Sequence, residues 1–109
     1  MPKEGVRFMR LMVLFDLPVK TKAERKEANL FRRFLKSDGY DMLQLSVYCR
    51  ICRGQDMVDK HLARLQGHLP PTGCVRALQV TNQQYARMKI LVGEMRKQEK
   101  VAAQQLLLF

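Results

Sequence analysis

Hydrophobic residues in the first half of the chain follow two different spacings. An unbroken apolar run begins at Leu11, ends at Phe15 and is followed at once by the carboxylate of Asp16. A continuous run of this kind predicts a central strand over 9–15 that is covered on both faces. Between Leu43 and Ile51 apolar residues occupy every second position, which predicts extended chain with one covered face.

This alternation runs for nine residues without a one-residue shift. A tight two-residue hairpin would shift it by one position. We therefore expect either one long bent strand or two short strands that meet near Ser46 through a bend or an odd-length turn.

A helix is predicted between these two segments. Thr21 and Glu24 match a capping box, in which each side chain binds a free backbone amide at a helix start. The helix should continue to about Lys36 and stop before Gly39, a residue suited to a left-handed conformation. Its apolar stripe would contain Ala28, Leu30, Phe31, Phe34 and Leu35.

The second half of the chain repeats these signals more weakly. Asp56 is a candidate N-cap for a second helix. After a proline-rich loop at 69–73, residues 75–80 predict another strand. A second capping box, Thr81 with Gln84, opens a short helix that we expect to extend through Tyr85 to about Ile90.

The order strand, helix, extended segment, helix, strand predicts a ferredoxin-like α+β fold with the helices on one face of a mainly antiparallel sheet. The first strand is apolar on both sides, so the other face also needs a cover, and a second copy of the chain is the simplest one. We expect one domain over 1–92, followed by a linker and a C-terminal strand over 93–109.

Charge narrows the choice of partners. The 109 residues contain 20 Lys and Arg against 10 Asp and Glu, a formal net charge of +10. So basic a small domain is typical of a nucleic-acid-binding protein, although a solvated surface is the simpler explanation for any single charged helix face. The candidate phosphate-binding residues are Arg25, Arg32, Arg33 and Lys36 on the first helix, with Arg50 and Arg53 on the extended segment.

Two function classes are disfavoured by sequence pattern. No apolar stretch reaches the roughly 20 residues of a membrane span, and the N-terminus does not resemble a signal peptide, so we expect a cytoplasmic protein. Cys49 and Cys52 form a C-x-x-C pair within a predicted strand. Residues three apart in a strand point to opposite faces, so we expect packing cysteines rather than a metal or redox site.

Three segments resemble a known family when they are taken in order and with their spacing. These are RLMVLFDLP at 10–18, GYDMLQLSVY at 39–48 and LQVTNQQYARM at 78–88. They are similar to the small CRISPR-associated endonuclease subunit of the spacer-acquisition machinery. The resemblance spans about 9–92, and the tail matches in character only.

The resemblance implies a ferredoxin-like homodimer that works beside a CRISPR integrase subunit, bridges its copies and holds short double-stranded DNA. It also implies a Mg²⁺-dependent endonuclease on RNA or DNA in many members, with Asp16 in the place of the family's catalytic and metal-binding acid. Phe15, Ser46 and Tyr48 match positions near that acid or the dimer axis. The chain departs from the family pattern at 17–20, where many members carry a further acid, and at Met42, where many carry a basic residue.

The resemblance leaves open whether this chain cleaves nucleic acid or is a non-catalytic scaffold. A stand-alone metal-dependent ribonuclease toxin of the same fold is the alternative, since such toxins share the acid on the first strand. The apolar tail, Leu106, Leu107, Leu108 and Phe109, follows a polar segment. By the resemblance, we expect it to add a strand to the sheet of the partner subunit.

Overall fold

The computed structural model describes residues 7–93, and within this range the chain forms a four-stranded antiparallel sheet and three helices. In chain order the elements are β1 (Phe8–Asp16), α1 (Lys22–Ser37), β2 (Asp41–Gln44), β3 (Val47–Arg53), α2 (Gln55–Gln66), β4 (Cys74–Thr81) and α3 (Asn82–Ala86). The strands lie in the order β2-β3-β1-β4. The predicted α+β class is confirmed, and this arrangement is compatible with a ferredoxin-like fold. The prediction that the helices share one face of the sheet is wrong for α3, which begins directly after β4 and packs Tyr85 against Met12 and Cys49, on the other face from α1 and α2.

The central strand β1 is covered on both faces, as its continuous apolar run predicts. Leu11, Val13 and Phe15 point to one face and pack with residues of α1 and α2 in the main core. Met12 points to the other face, where it packs with Cys49 and with Tyr85 of α3. We call the first side the helix face and the second the opposite face. The sheet alternation thereby also separates Cys52, in the main core, from Cys49, as predicted.

The connection between β2 and β3 differs from the prediction. Gln44 pairs with Val47, so Leu45 and Ser46 form the tight two-residue turn that the alternation had seemed to exclude. A register shift between Met42 and Gln44 restores the pairing of Met42 with Tyr48. A two-residue turn alone would shift the alternation of apolar residues by one position, and this irregularity shifts it back. Leu43 before the turn and Val47 after it therefore both lie on the opposite face.

Helix ends follow local capping chemistry with two corrections. The capping boxes at Thr21 and Thr81 are both present, as predicted. Helix α2 has Gly54 rather than Asp56 as its N-cap, because Gly54 takes a φ of 84° at the strand-to-helix turn and places Asp56 in the first helical turn. Helix α3 ends at Ala86 rather than near Ile90, and Ile90 is 46% exposed.

Within residues 7–93, no helix is long and apolar enough to cross a membrane. The predicted C-terminal strand with Leu106, Leu107, Leu108 and Phe109 lies outside the described residues and stays a prediction.

Candidate nucleic-acid interface

Asp16 is the last residue of β1 and is exposed to solvent at the end of the sheet. Strand alternation places it on the opposite face, the side of Met12 and Leu14, while its neighbour Phe15 is buried on the helix face. A hydrophobic strand therefore carries a carboxylate to the point where β1 leaves the sheet. This position leaves the carboxylate accessible to a cation or a polyanion–cation complex.

The neighbouring strand fixes the backbone at Asp16 closely. Asp16 pairs with Cys74, the first residue of β4, and Gly73 precedes it with a φ of 97°. A Cβ atom on Gly73 would lie 2.7 Å from the Asp16 carbonyl oxygen. On the same face, Arg76 pairs with Leu14 and is exposed, which adds a cation two residues from Cys74 along β4.

The three residues that the resemblance placed near Asp16 contact one another at the end of β1. The backbone amide of Phe15 donates to the carbonyl of Ser46 at 3.0 Å, which ties the end of β1 to the β2–β3 turn. The rings of Phe15 and Tyr48 pack at a centroid distance of 5.7 Å, and both are buried on the helix face. Phe15 and Tyr48 therefore support the strand end from the core side and lie on the other side of the sheet from the Asp16 carboxylate.

The exposed side of α1 borders a cleft that we call the cationic cleft, and we define it by the residues of its wall and its floor. Asn29, Arg32, Arg33 and Lys36 form the helical wall, and Met42, Leu45 and Tyr48 form an apolar floor contributed by β2, its turn and β3. The cleft has a volume of about 540 Å³. Arg32 is held in place because its Nε–H donates to the Leu45 carbonyl at 3.2 Å and its guanidinium carbon lies 5.6 Å from the Phe15 ring centroid.

The other predicted cations lie elsewhere. The Arg25 guanidinium donates to the carbonyls of Val19 and Lys20 at the start of α1. Arg53 is exposed at the end of β3 and pairs with Phe8, so it lies about 27 Å from Asp16 along the sheet, at roughly 3.4 Å per residue.

Arg50 is half-buried and belongs to a polar cluster that joins three elements. Its guanidinium donates to the backbone carbonyl of Asp38, the C-cap of α1, and one of its nitrogens lies 3.3 Å from His61 Nδ1. The Asp38 carboxylate contacts His61 Nδ1 at 2.8 Å and accepts from Arg64 Nε at 2.6 Å. The cluster fixes the end of α1 to α2 and β3, so we leave Arg50 out of the proposed nucleic-acid surface.

Electrostatics within this cluster favour an ionised Asp38. Burial acts to raise the pKa of Asp38, but the hydrogen bonds and Coulombic interactions with His61 and Arg64 together outweigh burial and lower that pKa below its ordinary value. Burial raises the pKa of Cys52, although Arg50 acts in the opposite direction. The raised pKa keeps this core thiol protonated.

The chemistry of the exposed carboxylate fits Mg²⁺ in part. Mg²⁺ prefers oxygen ligands and commonly takes only one or two protein carboxylates together with water and phosphate oxygens. Across 7–93, no three His, Cys, Asp or Glu side chains gather into a metal-binding group. Within the described residues, Asp16 is therefore a candidate oxygen ligand that does not belong to a preformed cluster of three.

Two features of the interface had no signal in the local sequence pattern. The apolar floor of the cleft combines Met42 with Leu45 from the β2–β3 hairpin, and only tertiary packing brings these residues against α1. Arg76 lies on the Asp16 side of the sheet because of the pairing between β1 and β4. The alternation of residues 75–80 could have placed Arg76 on one face of β4, but not beside Asp16.

Comparison with known families gives a match over most of the described chain. A family model described as CRISPR associated protein Cas2 matches residues 9–88. Apart from Phe8, the first residue of β1, this range includes every element described above, from β1 to α3.

Individual proteins match over nearly the whole chain. The CRISPR-associated endoribonuclease Cas2 of Acidovorax ebreus is 53% identical over 102 residues, covering 93% of this chain and 100% of that protein. The protein of the same name from Paracidovorax avenae is 43% identical, with 96% and 97% covered. The one from Flavobacterium psychrophilum is 36% identical, with 94% and 90% covered.

Proposed function

The chain belongs to the CRISPR-associated Cas2 family, and we propose that it acts in spacer acquisition as a homodimeric adaptor. In this role it binds short duplex DNA and bridges copies of a CRISPR integrase subunit. The observation that carries the proposal is the grouping of Arg32, Arg33 and Lys36 on the exposed side of α1, in a chain whose net charge is +10. Such a surface attracts the phosphate backbone of nucleic acid irrespective of sequence.

Dimer formation is supported by the opposite face of the sheet. Its apolar cluster of Met12, Cys49 and Tyr85 is flanked by partly buried side chains, and Leu78 on the neighbouring β4 remains 51% exposed. A second copy laid on this face would cover the apolar surface and leave the cationic cleft of each chain accessible. The apolar tail at 106–109 is a further candidate for contact with the second copy.

A salt titration of duplex binding tests the DNA-binding part. The affinity of the full chain for a blunt duplex should fall linearly with salt on a double-logarithmic plot. An Arg33→Gln/Lys36→Gln double variant should reduce the slope by about 1.8 per chain, at roughly 0.9 per lost phosphate contact. Arg25→Gln is the matched control because the Arg25 guanidinium binds backbone carbonyls of its own chain. Equal slopes for the wild type and the double variant would remove the cleft from the duplex-binding surface.

Complex formation tests the adaptor part. The protein and the integrase subunit encoded beside the same repeat array should elute together in size-exclusion chromatography with light scattering, with two copies of this chain per complex. The complex should integrate a short duplex into a repeat-containing plasmid. Separate elution of the two proteins, together with integration that does not depend on this chain, would refute the adaptor role.

A second candidate function, favoured by the exposed Asp16, is endonucleolytic cleavage. The similar proteins are named endoribonucleases, which favours RNA as the substrate. Two copies of Asp16 brought together at a dimer axis would hold Mg²⁺, which supplies an activated water and neutralises charge on the scissile phosphate. Asp16 itself would position the cation, and the exposed Arg76 on the same face would bind a neighbouring phosphate.

A further inference from the structure

The cationic cleft on α1 combines two surfaces that bind different parts of a nucleotide. Arg33 and Lys36 on its helical wall are exposed cations, which suit phosphate. Met42 and Leu45 on its floor are apolar, and Leu45 is 67% exposed even though it lies in the cleft. A floor of this kind gains nothing from a phosphate and suits the flat face of a base.

We propose that this cleft binds one unpaired nucleotide of a nucleic-acid strand, with its base on Met42 and Leu45 and its phosphate on Arg33 and Lys36. The inference rests on the proposed nucleic-acid binding and adds a distinct site for an unstacked base. The volume of about 540 Å³ lies within the roughly 300–1,000 Å³ of small-molecule sites, so the cleft has room for a nucleotide.

Base pairing decides which form of nucleic acid can use the floor. A duplex presents its phosphates to the cations of α1 but keeps its bases stacked inside the helix. Only a base that has left the stack can enter the cleft, as happens at single-stranded segments, frayed ends and overhangs. The Asn29 side chain on the same wall carries both a donor and an acceptor and can bind the edge of such a base.

The cleft is also preorganised. The Nε–H···O bond from Arg32 to Leu45 links the helical wall to the floor at 3.2 Å, and the Phe15 ring packs beneath the Arg32 guanidinium. The turn that carries Leu45 is also bonded to β1, because the backbone amide of Phe15 donates to the carbonyl of Ser46. Both sides of the cleft are therefore held at a fixed separation before a nucleotide arrives, which lowers the entropic cost of binding.

Fluorescence anisotropy with two single-stranded probes tests the inference. One probe is a 12-nucleotide oligothymidylate, and the other has the same length and charge but carries abasic sites at its central positions. The wild-type chain should bind the oligothymidylate about fivefold more tightly, the factor expected when roughly 40 Å² of apolar surface is buried at about 25 cal/mol per Å². Leu45→Ser should abolish most of this difference and leave the salt slope unchanged. Leu69→Ser is the control, because Leu69 is 49% exposed and lies outside the cleft.

The outcomes separate this inference from the proposed function. Salt-dependent binding with equal affinity for the two probes would overturn the nucleotide site and leave duplex binding intact. The absence of salt-dependent binding to any nucleic acid would overturn both. The comparison of the two probes refutes the site with the wild-type chain alone, even if a variant does not fold. A folded Leu45→Ser chain that keeps the full preference for the oligothymidylate would place the base outside the cleft and would also overturn the proposal.

Discussion

Gly73 lies directly against the backbone of Asp16. A Cβ atom at Gly73 would be 2.7 Å from the Asp16 carbonyl oxygen and 2.8 Å from Leu17 Cδ2, closer than real side chains approach. Gly73 also adopts a φ of 97°, which residues with a side chain rarely take. The strand end that presents the candidate metal-binding carboxylate therefore depends on a glycine from the loop before β4.

Gly73→Ala should lower the free energy of unfolding by about 1–3 kcal/mol, because it imposes both a strained φ and a clash with backbone atoms. Gly67→Ala is the matched control, since Gly67 has a φ of −79° and its nearest contact would be an ordinary 3.5 Å. That change should be neutral or stabilising by up to about 1 kcal/mol. Urea unfolding measures both, and equal stability losses would show that Gly73 is not specially constrained.

Asp16→Ala should reduce any Mg²⁺-dependent cleavage by the purified protein to the level seen with wild type in EDTA. The physical reason is that Asp16 is the exposed oxygen ligand at the end of β1. Since the side chain is exposed, the free energy of unfolding should change by no more than about 0.5 kcal/mol. The measurement is cleavage of labelled RNA and DNA by highly purified proteins.

Asp41→Ala is the control for this experiment, because Asp41 is an exposed carboxylate on the edge strand β2. It should leave cleavage unchanged. Equal, EDTA-sensitive cleavage by wild type and Asp16→Ala would assign the nuclease to a contaminant and Asp16 to a structural role. Integration supported by a chain that never cleaves would leave the adaptor function standing alone.

Asp38→Asn should destabilise the fold in a pH-dependent way. At pH 7 we expect a loss of about 1–3 kcal/mol, because the substitution weakens the contacts to His61 and Arg64. The folded-state pKa of Asp38 is lowered, so the ionised carboxylate stabilises the fold above its ordinary pKa of about 3.9 and loses this effect as the pH falls through the folded value. The stability difference between wild type and variant should therefore shrink as the pH falls below about 4. Urea unfolding between pH 3 and 7 measures it, and a difference that kept growing below pH 4 would contradict this sign.

Sequence patterns predicted the elements of the fold well where the physics is local. The apolar run of β1 and the capping boxes at Thr21 and Thr81 depend on residues close in sequence, and the structure contains all of them. The two-residue turn at 45–46 was missed because a register irregularity at Met42–Gln44 cancels its effect on the alternation. The turn and the irregularity shift the alternation by one position in opposite directions, so the spacing of apolar residues along the sequence stays regular.

The candidate site was predictable only in part, for a related reason. Helix periodicity grouped Arg32, Arg33 and Lys36, but it could not place Leu45 beside them. Likewise, Arg50 occupies a regular position in an extended segment, so its sequence pattern resembles that of an exposed phosphate-binding cation. Its internal role depends on His61 and Asp38, which are 11 and 12 residues away in the chain.

Leu78→Glu should dissociate the proposed homodimer. Leu78 of β4 pairs with Met12 of β1, and its side chain is 51% exposed on the opposite face of the sheet. A second copy of the chain laid on that face would bury it. Burying the leucine favours association at about 25 cal/mol per Å² of apolar surface, whereas burying an unpaired glutamate costs several kcal/mol. Sedimentation equilibrium across a dilution series should therefore give a dimer for wild type and a monomer for the variant. Leu69→Glu, at a loop position that is 49% exposed, controls for the added charge and should remain dimeric. A wild-type chain that is monomeric at every concentration, or a Leu78→Glu chain that dimerises as tightly as wild type, would exclude this face of the sheet as the dimer interface.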